Sequence, residues 1–174
     1  MIDYSNFQKS LKHLELQFAN YKQAEYRPEL TALDREGITE SVIQRFETCY
    51  DTLWKQLKRY LTEESGLPDV PNSPKPILKL AGQNDLLGSS VEQWLKYADA
   101  RTSTAHDYSG VKAADTLLIV GDFIADAIRL YEMMTGDVWT GPLTRISRLN
   151  SRRRLLSSCT ASSPESPCGP MAPA

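Results

Sequence analysis

Arg101, His106 and Tyr108 fall close together in the stretch ARTSTAHDYS, which holds one of the chain's two histidines. An arginine can grip a phosphate through two parallel hydrogen bonds, and a histidine that titrates near neutral pH can move a proton. Together they suit metal-free RNA cleavage, in which the ribose 2′-hydroxyl attacks the adjacent phosphate. On a helical wheel of about 100° per residue, Arg101 shares the apolar stripe of Trp94 and Ala98, while His106 lies about 140° further round. They converge only if the helix ends near Ala105 or if one of them comes from a second copy of the chain. Asp107, Ser109 and Gly110 favour an ending, and in an extended exit His106 and Tyr108 share one side. The plainer alternative stays open: Arg101 paired with an acid on another helix, and His106 a helix-end histidine with a satisfied ring.

Other candidates carry less. His13, between Leu11 and Leu14, has no partner for chemistry and reads as a surface residue. Glu47 and Asp51 are one helical turn apart and read as an exposed or Arg-paired carboxylate face. Cys49, Cys159 and Cys168 have neither CxxC spacing nor nearby histidine pairs, so neither a disulfide framework nor a zinc site is expected. The glycines form no phosphate loop. We therefore expect no metal and no cofactor.

The elements that must position these residues are helical. Phe7, Leu11, Leu14, Phe18 and Tyr21 mark one stripe on a first helix, with Asp3 or Ser5 as its cap and Pro28 at or beyond its end. A long helix from about Ile38 to Glu64 carries Val42, Phe46, Cys49, Leu53, Leu57 and Tyr60 on one face and Ile43, Tyr50, Trp54 and Leu61 beside it. So wide an apolar surface implies several neighbours or a second subunit. After the proline-rich loop GLPDVPNSPKP come a short helix through Ile77, Leu78, Leu80 and Ala81, and another bearing Val91, Trp94, Leu95 and Ala98. The last helix should span about Ser109 to Thr135. Its expected inner face is Val111, Ala114, Leu118, Gly121, Ile124, Ala125, Ile128 and Tyr131. No segment alternates like a strand, so the expected fold is an all-α antiparallel bundle of four long helices and one short one over residues 1–136.

Residues 137–174 differ in kind. They hold five arginines against Asp137 and Glu165, then serine and proline without an apolar period, and so read as a disordered tail. Because the whole chain carries a net charge of −2, this tail's +3 leaves −5 on residues 1–136. An acidic body argues against broad, charge-driven nucleic-acid binding, and any RNA chemistry would need a local basic pocket. No secretory signal or bilayer-length apolar run is visible, so the expected compartment is the cytoplasm.

Two segments read together resemble a known family. SVIQRFETCYDTLWKQLKRYLTEESG looks like the long helix of the small HEPN-domain proteins called nucleotidyltransferase substrate-binding proteins, and ARTSTAHDYS resembles their Arg-x4-His-x-Tyr motif. The resemblance covers roughly residues 1–136. It implies a homodimeric helical bundle with the motifs of both copies facing one cleft, and a partner nucleotidyltransferase of the MNT type. In its toxin–antitoxin form it implies a metal-independent ribonuclease, with Arg101 on the scissile phosphate and His106 as acid or base. The partner would silence it by adenylylating Tyr108. Related motifs commonly place Asn after the arginine, where this chain has Thr102 as the supporting polar residue. The alternative is a non-catalytic subunit that presents a nucleotide or another substrate to the nucleotidyltransferase. A third possibility is purely structural, with Arg101 locked in an internal ion pair and the chain monomeric.

Overall fold

The computed structural model describes residues 2–104 and 110–142, apart from the side chains of residues 110–112. Its described residues form five α-helices: α1 (Ser5–Ala24), α2 (Ala32–Glu63), α3 (Pro74–Gln83), α4 (Val91–Thr104) and α5 (Gly110–Thr135). The bundle expected from sequence is present. No helix among these residues is long and apolar enough to cross a membrane. The tail from residue 143 onward, expected to be disordered, lies outside the described residues.

Local chemistry explains most of the boundaries. Asp3 accepts the Ser5 N–H at 2.9 Å, while Tyr4 occupies the cap position of α1 without a side-chain bond. α2 begins six residues before its expected start because Thr31 and Asp34 form a reciprocal capping box: the Asp34 N–H donates to Thr31 Oγ1 at 3.1 Å, and the Thr31 N–H donates to Asp34 Oδ2 at 2.9 Å. Beyond its C-terminus, Gly66 takes φ +63° and lets the Leu67 N–H return to the Leu61 carbonyl at 3.0 Å. Pro74 fits the first turn of α3, where its missing N–H costs nothing.

α1 packs along α2, and α5 packs against α1, α2 and α4. At the centre, the Phe123 ring lies edge-on to Phe46 at 5.0 Å, to Tyr97 at 5.3 Å and to Trp94 at 6.4 Å. Such edge-to-face contacts add to the gain from burying the rings. The packed body also runs past the expected boundary at residue 136. Trp139 is buried, sits edge-on to Tyr131 at 5.1 Å and donates its Nε1–H to Glu15 at 3.2 Å.

The face of α5 turned inward is not the expected one. Ala113, Thr116, Val120, Phe123, Ala127, Leu130 and Met134 are buried, whereas Leu118 is 80% exposed and Ala114 and Ala125 are also exposed. Val111 of the expected set lies outside the described side chains; of the rest only Ile124 and Tyr131 are buried, with Gly121 and Ile128 half-buried. Both sets repeat at spacings of three and four, and two residues of offset places them on nearly opposite sides of the helix. The helix is apolar on both sides, and periodicity alone does not rank the two.

Candidate functional site

Arg101, near the C-terminus of α4, faces α2. Its Nε–H donates to Asp51 Oδ1 at 3.1 Å and its Nη2 to Oδ2 at 2.9 Å, a side-on fork between the two helices. The hydrogen bond to Asp51 raises the guanidinium pKa further above its ordinary value, with burial opposing it. The pair is partly open to solvent, with side chains 28% and 37% exposed. Of arginine's five N–H donors, those on Nη1 have no acceptor among the described residues. The ion pair weighed as the plain alternative for Arg101 is therefore present, and it leaves part of the guanidinium available.

The pair lies in a cleft of about 550 Å³. Trp54, Pro74 and Pro76 supply apolar walls, and Tyr50 also lines the cleft. The Tyr50 hydroxyl is buried with no hydrogen-bond partner among the described residues, and burial drives its pKa up. Lys75 at the rim is paired with Asp99. Mostly apolar walls with a few convergent polar groups are what small-ligand sites offer.

Neighbouring candidates fall as follows. Thr102 is exposed and donates its hydroxyl to the Ala98 carbonyl at 3.0 Å, so its proton is engaged on its own helix. Thr104 is buried and donates to Glu47 at 2.5 Å, which ties the end of α4 to α2. His106 and Tyr108 lie outside the described residues. His13 is exposed, as expected. Arg45 has no carboxylate partner among the described residues and lines a groove between α1 and α2. Cys49 is fully buried, and burial pushes its thiol up to about 12, which removes it as a nucleophile.

Sequence reasoning missed the cleft's aromatic wall. Trp54 was assigned to the packed surface of α2, yet it is only half-buried. The prolines of the connecting loop were read only as helix breakers. The one available signal was the spacing of Tyr50, Asp51 and Trp54, which sets a carboxylate between two aromatic residues one turn apart.

Residues 2–136 match the family model described as nucleotidyltransferase substrate binding protein like. The chain belongs to this family. Among solved structures, HI0074 from Haemophilus influenzae, described as having the fold of a substrate binding domain of a nucleotidyltransferase, is similar at 23% identity. That match covers 76% of this chain and 98% of that one with a TM-score of 0.68. A crystal structure of a Thermus thermophilus protein is similar at 26% identity over 70% of this chain and 98% of that one, with a TM-score of 0.54. No curated protein matches. For this member of the nucleotidyltransferase substrate-binding family, the Arg101–Asp51 cleft is the candidate site that contains Arg101, the described residue of the ARTSTAHDYS motif to which the sequence assigns a phosphate-binding role.

Proposed function

We propose that the chain is the substrate-binding subunit of a two-component nucleotidyltransferase, and that the Arg101–Asp51 cleft receives a nucleotide or a similarly built substrate. The observation that carries this reading is one cleft that holds both a guanidinium whose Nη1 donors have no acceptor among the described residues and the half-buried Trp54 ring. The guanidinium suits a phosphate, and the ring with its proline neighbours suits a base. Asp51 supplies an acceptor for a ring or exocyclic N–H.

Tryptophan emission provides the test. Trp94 and Trp139 are 0% and 3% exposed, so a ligand in the cleft quenches chiefly Trp54. Titration with AMP and ATP should give saturable quenching in the full chain, lost in Trp54→Phe and weakened about tenfold in Arg101→Gln, the loss of a charge-assisted hydrogen bond. Quenching that survives in Trp54→Phe, or none at millimolar nucleotide, would overturn the assignment.

The subunit is proposed to act as a homodimer. The outward face of α5, with Ala114, Leu118 and Ala125, keeps the spacing of a helix–helix seam although nothing among the described residues covers Leu118. The second functional reading is the metal-independent ribonuclease toxin silenced by adenylylation of Tyr108 by an MNT-type partner. The Nη1 donors of Arg101, which have no acceptor among the described residues, support it, since they suit a scissile phosphate. Asp51, which holds the other edge of the guanidinium, opposes a phosphate equally in either reading.

A further inference from the structure

α1 and α2 enclose a second groove, of about 600 Å³, on a different flank of α2 from the Arg101 cleft. At about 100° per residue, Ser41, Arg45, Thr48, Thr52 and Lys55 share one flank of α2, and Trp54 lies about 120° from Thr48. α1 closes the groove with Asn6, Lys9, Ser10 and His13.

The lining includes three permanent cations, Lys9, Arg45 and Lys55, and no carboxylate. None of the three is ion-paired among the described residues. On the adjoining flank of α2, Asp51 is ion-paired with Arg101, and Glu47, which keeps its charge, accepts from the Thr104 hydroxyl. In a chain of net charge −2, such a collection of unneutralised cations marks a place where an anion lowers the energy. This is the local basic pocket that the acidic composition made necessary for any contact with nucleic acid.

The remaining lining narrows the ligand class. It is made of hydroxyls, amides and the His13 imidazole, and contains no Phe, Tyr, Trp, Met or large aliphatic side chain, the apolar anchors on which protein interfaces depend. A hydrophilic polyanion fits better than a folded partner. Arg45 and Lys55 are about 15 Å apart along α2 at 1.5 Å per residue. A stacked strand places a phosphate roughly every 3.4 Å along its axis, so the groove spans about four phosphates, more than a triphosphate supplies. Gln56, 8% exposed, also lines the groove. Its Nε2 donates to the Asp3 carbonyl at 3.1 Å, which fixes the amide orientation and leaves Oε1 buried without a partner among the described residues. That acceptor suits a ribose hydroxyl.

We infer that the α1–α2 groove binds a single RNA strand through its phosphates, with Lys9, Arg45 and Lys55 as the contacts and without base readout. This does not rest on the nucleotidyltransferase reading, because the chain alone suffices to test it.

The test is fluorescence anisotropy of a labelled short oligouridylate with the full chain over a series of salt concentrations. Each phosphate contact to a single strand contributes a slope of about −0.7 in log K against log salt. Lys9→Gln, Arg45→Gln and Lys55→Gln should each weaken binding severalfold at low salt and remove about 0.7 from the slope. Lys79→Gln, an exposed lysine on α3, should change neither. The arginines between residues 145 and 154 add their own share to the total, so the differences between variants are the readout. No binding at low salt, or groove variants that behave like Lys79→Gln, would overturn the inference. Displacement by tripolyphosphate at equal phosphate concentration would replace the strand with a small anion, and displacement by polyglutamate at equal charge would replace it with an acidic protein. Equal affinity for the deoxy strand would overturn the choice of RNA.

Discussion

Arg101 and Asp51 join α4 to α2 through two parallel hydrogen bonds of 3.1 and 2.9 Å while remaining partly open to solvent. In that setting the pair organises the cleft more than it stabilises the fold. Asp51→Asn should change unfolding stability by less than about 1 kcal/mol, the range of partly exposed ion pairs. It should also raise nucleotide affinity severalfold, because the guanidinium no longer shares its charge with a carboxylate. Thermal melts and tryptophan quenching on the same preparation check both.

Phe123 touches rings from α2 and α4 at once. Replacing it with alanine leaves a cavity where two helices meet α5, and the expected loss is about 3–5 kcal/mol. In urea unfolding the midpoint should fall with little change in slope. A loss under about 1 kcal/mol would mean that the site collapses and that the ring contacts matter little.

Acid should loosen the start of α2. Hydrogen bonds from the Thr31 side chain, then its backbone, hold the Asp34 carboxyl below its ordinary value of 3.8. A folded-state pKa below the unfolded one stabilises above the unfolded value, and that stability is lost as pH falls through the lowered folded value. Wild type should therefore melt higher than Asp34→Ala at neutral pH, and the two should converge as pH falls below the ordinary value of 3.8 and through the lowered folded one. A difference that persists in strong acid would assign the effect to something other than the charged cap.

Leu118, 80% exposed on α5, is the probe of self-association. Leu118→Glu should convert a dimer to a monomer in light scattering without loss of helical ellipticity, since the side chain makes no part of the core. A wild-type chain already monomeric at working concentration would contradict the proposed seam.

The fold was legible because each long helix has an apolar stripe at helical spacing and the breakers Gly66, Pro68 and Gly136 stand between or after them. The start of α2 escaped because its cap uses Asp34 where the usual box has Glu or Gln, and because its first turns are polar. The orientation of α5 escaped for the opposite reason, an excess of apolar residues. Trp139 gave no periodic signal at all; its burial depends on Tyr131 and on Glu15, far away in sequence. Gly141 has the same non-local cause, since a β-carbon there would strike both Trp139 and Glu15. Of the site, Arg101 was legible from its place on the Trp94 stripe. Trp54 and the α1–α2 groove were not, because each is made by residues whose helices meet only in the folded chain.

Whether the chain cuts RNA separates the two functional readings most sharply. Purified full-length protein, wild type beside His106→Ala, is incubated with labelled cellular RNA in the presence of a chelator, and fragment lengths are followed. A substrate-binding subunit leaves the RNA at full length with both proteins. Cleavage by the wild type that disappears in His106→Ala would contradict that reading and establish a metal-independent ribonuclease.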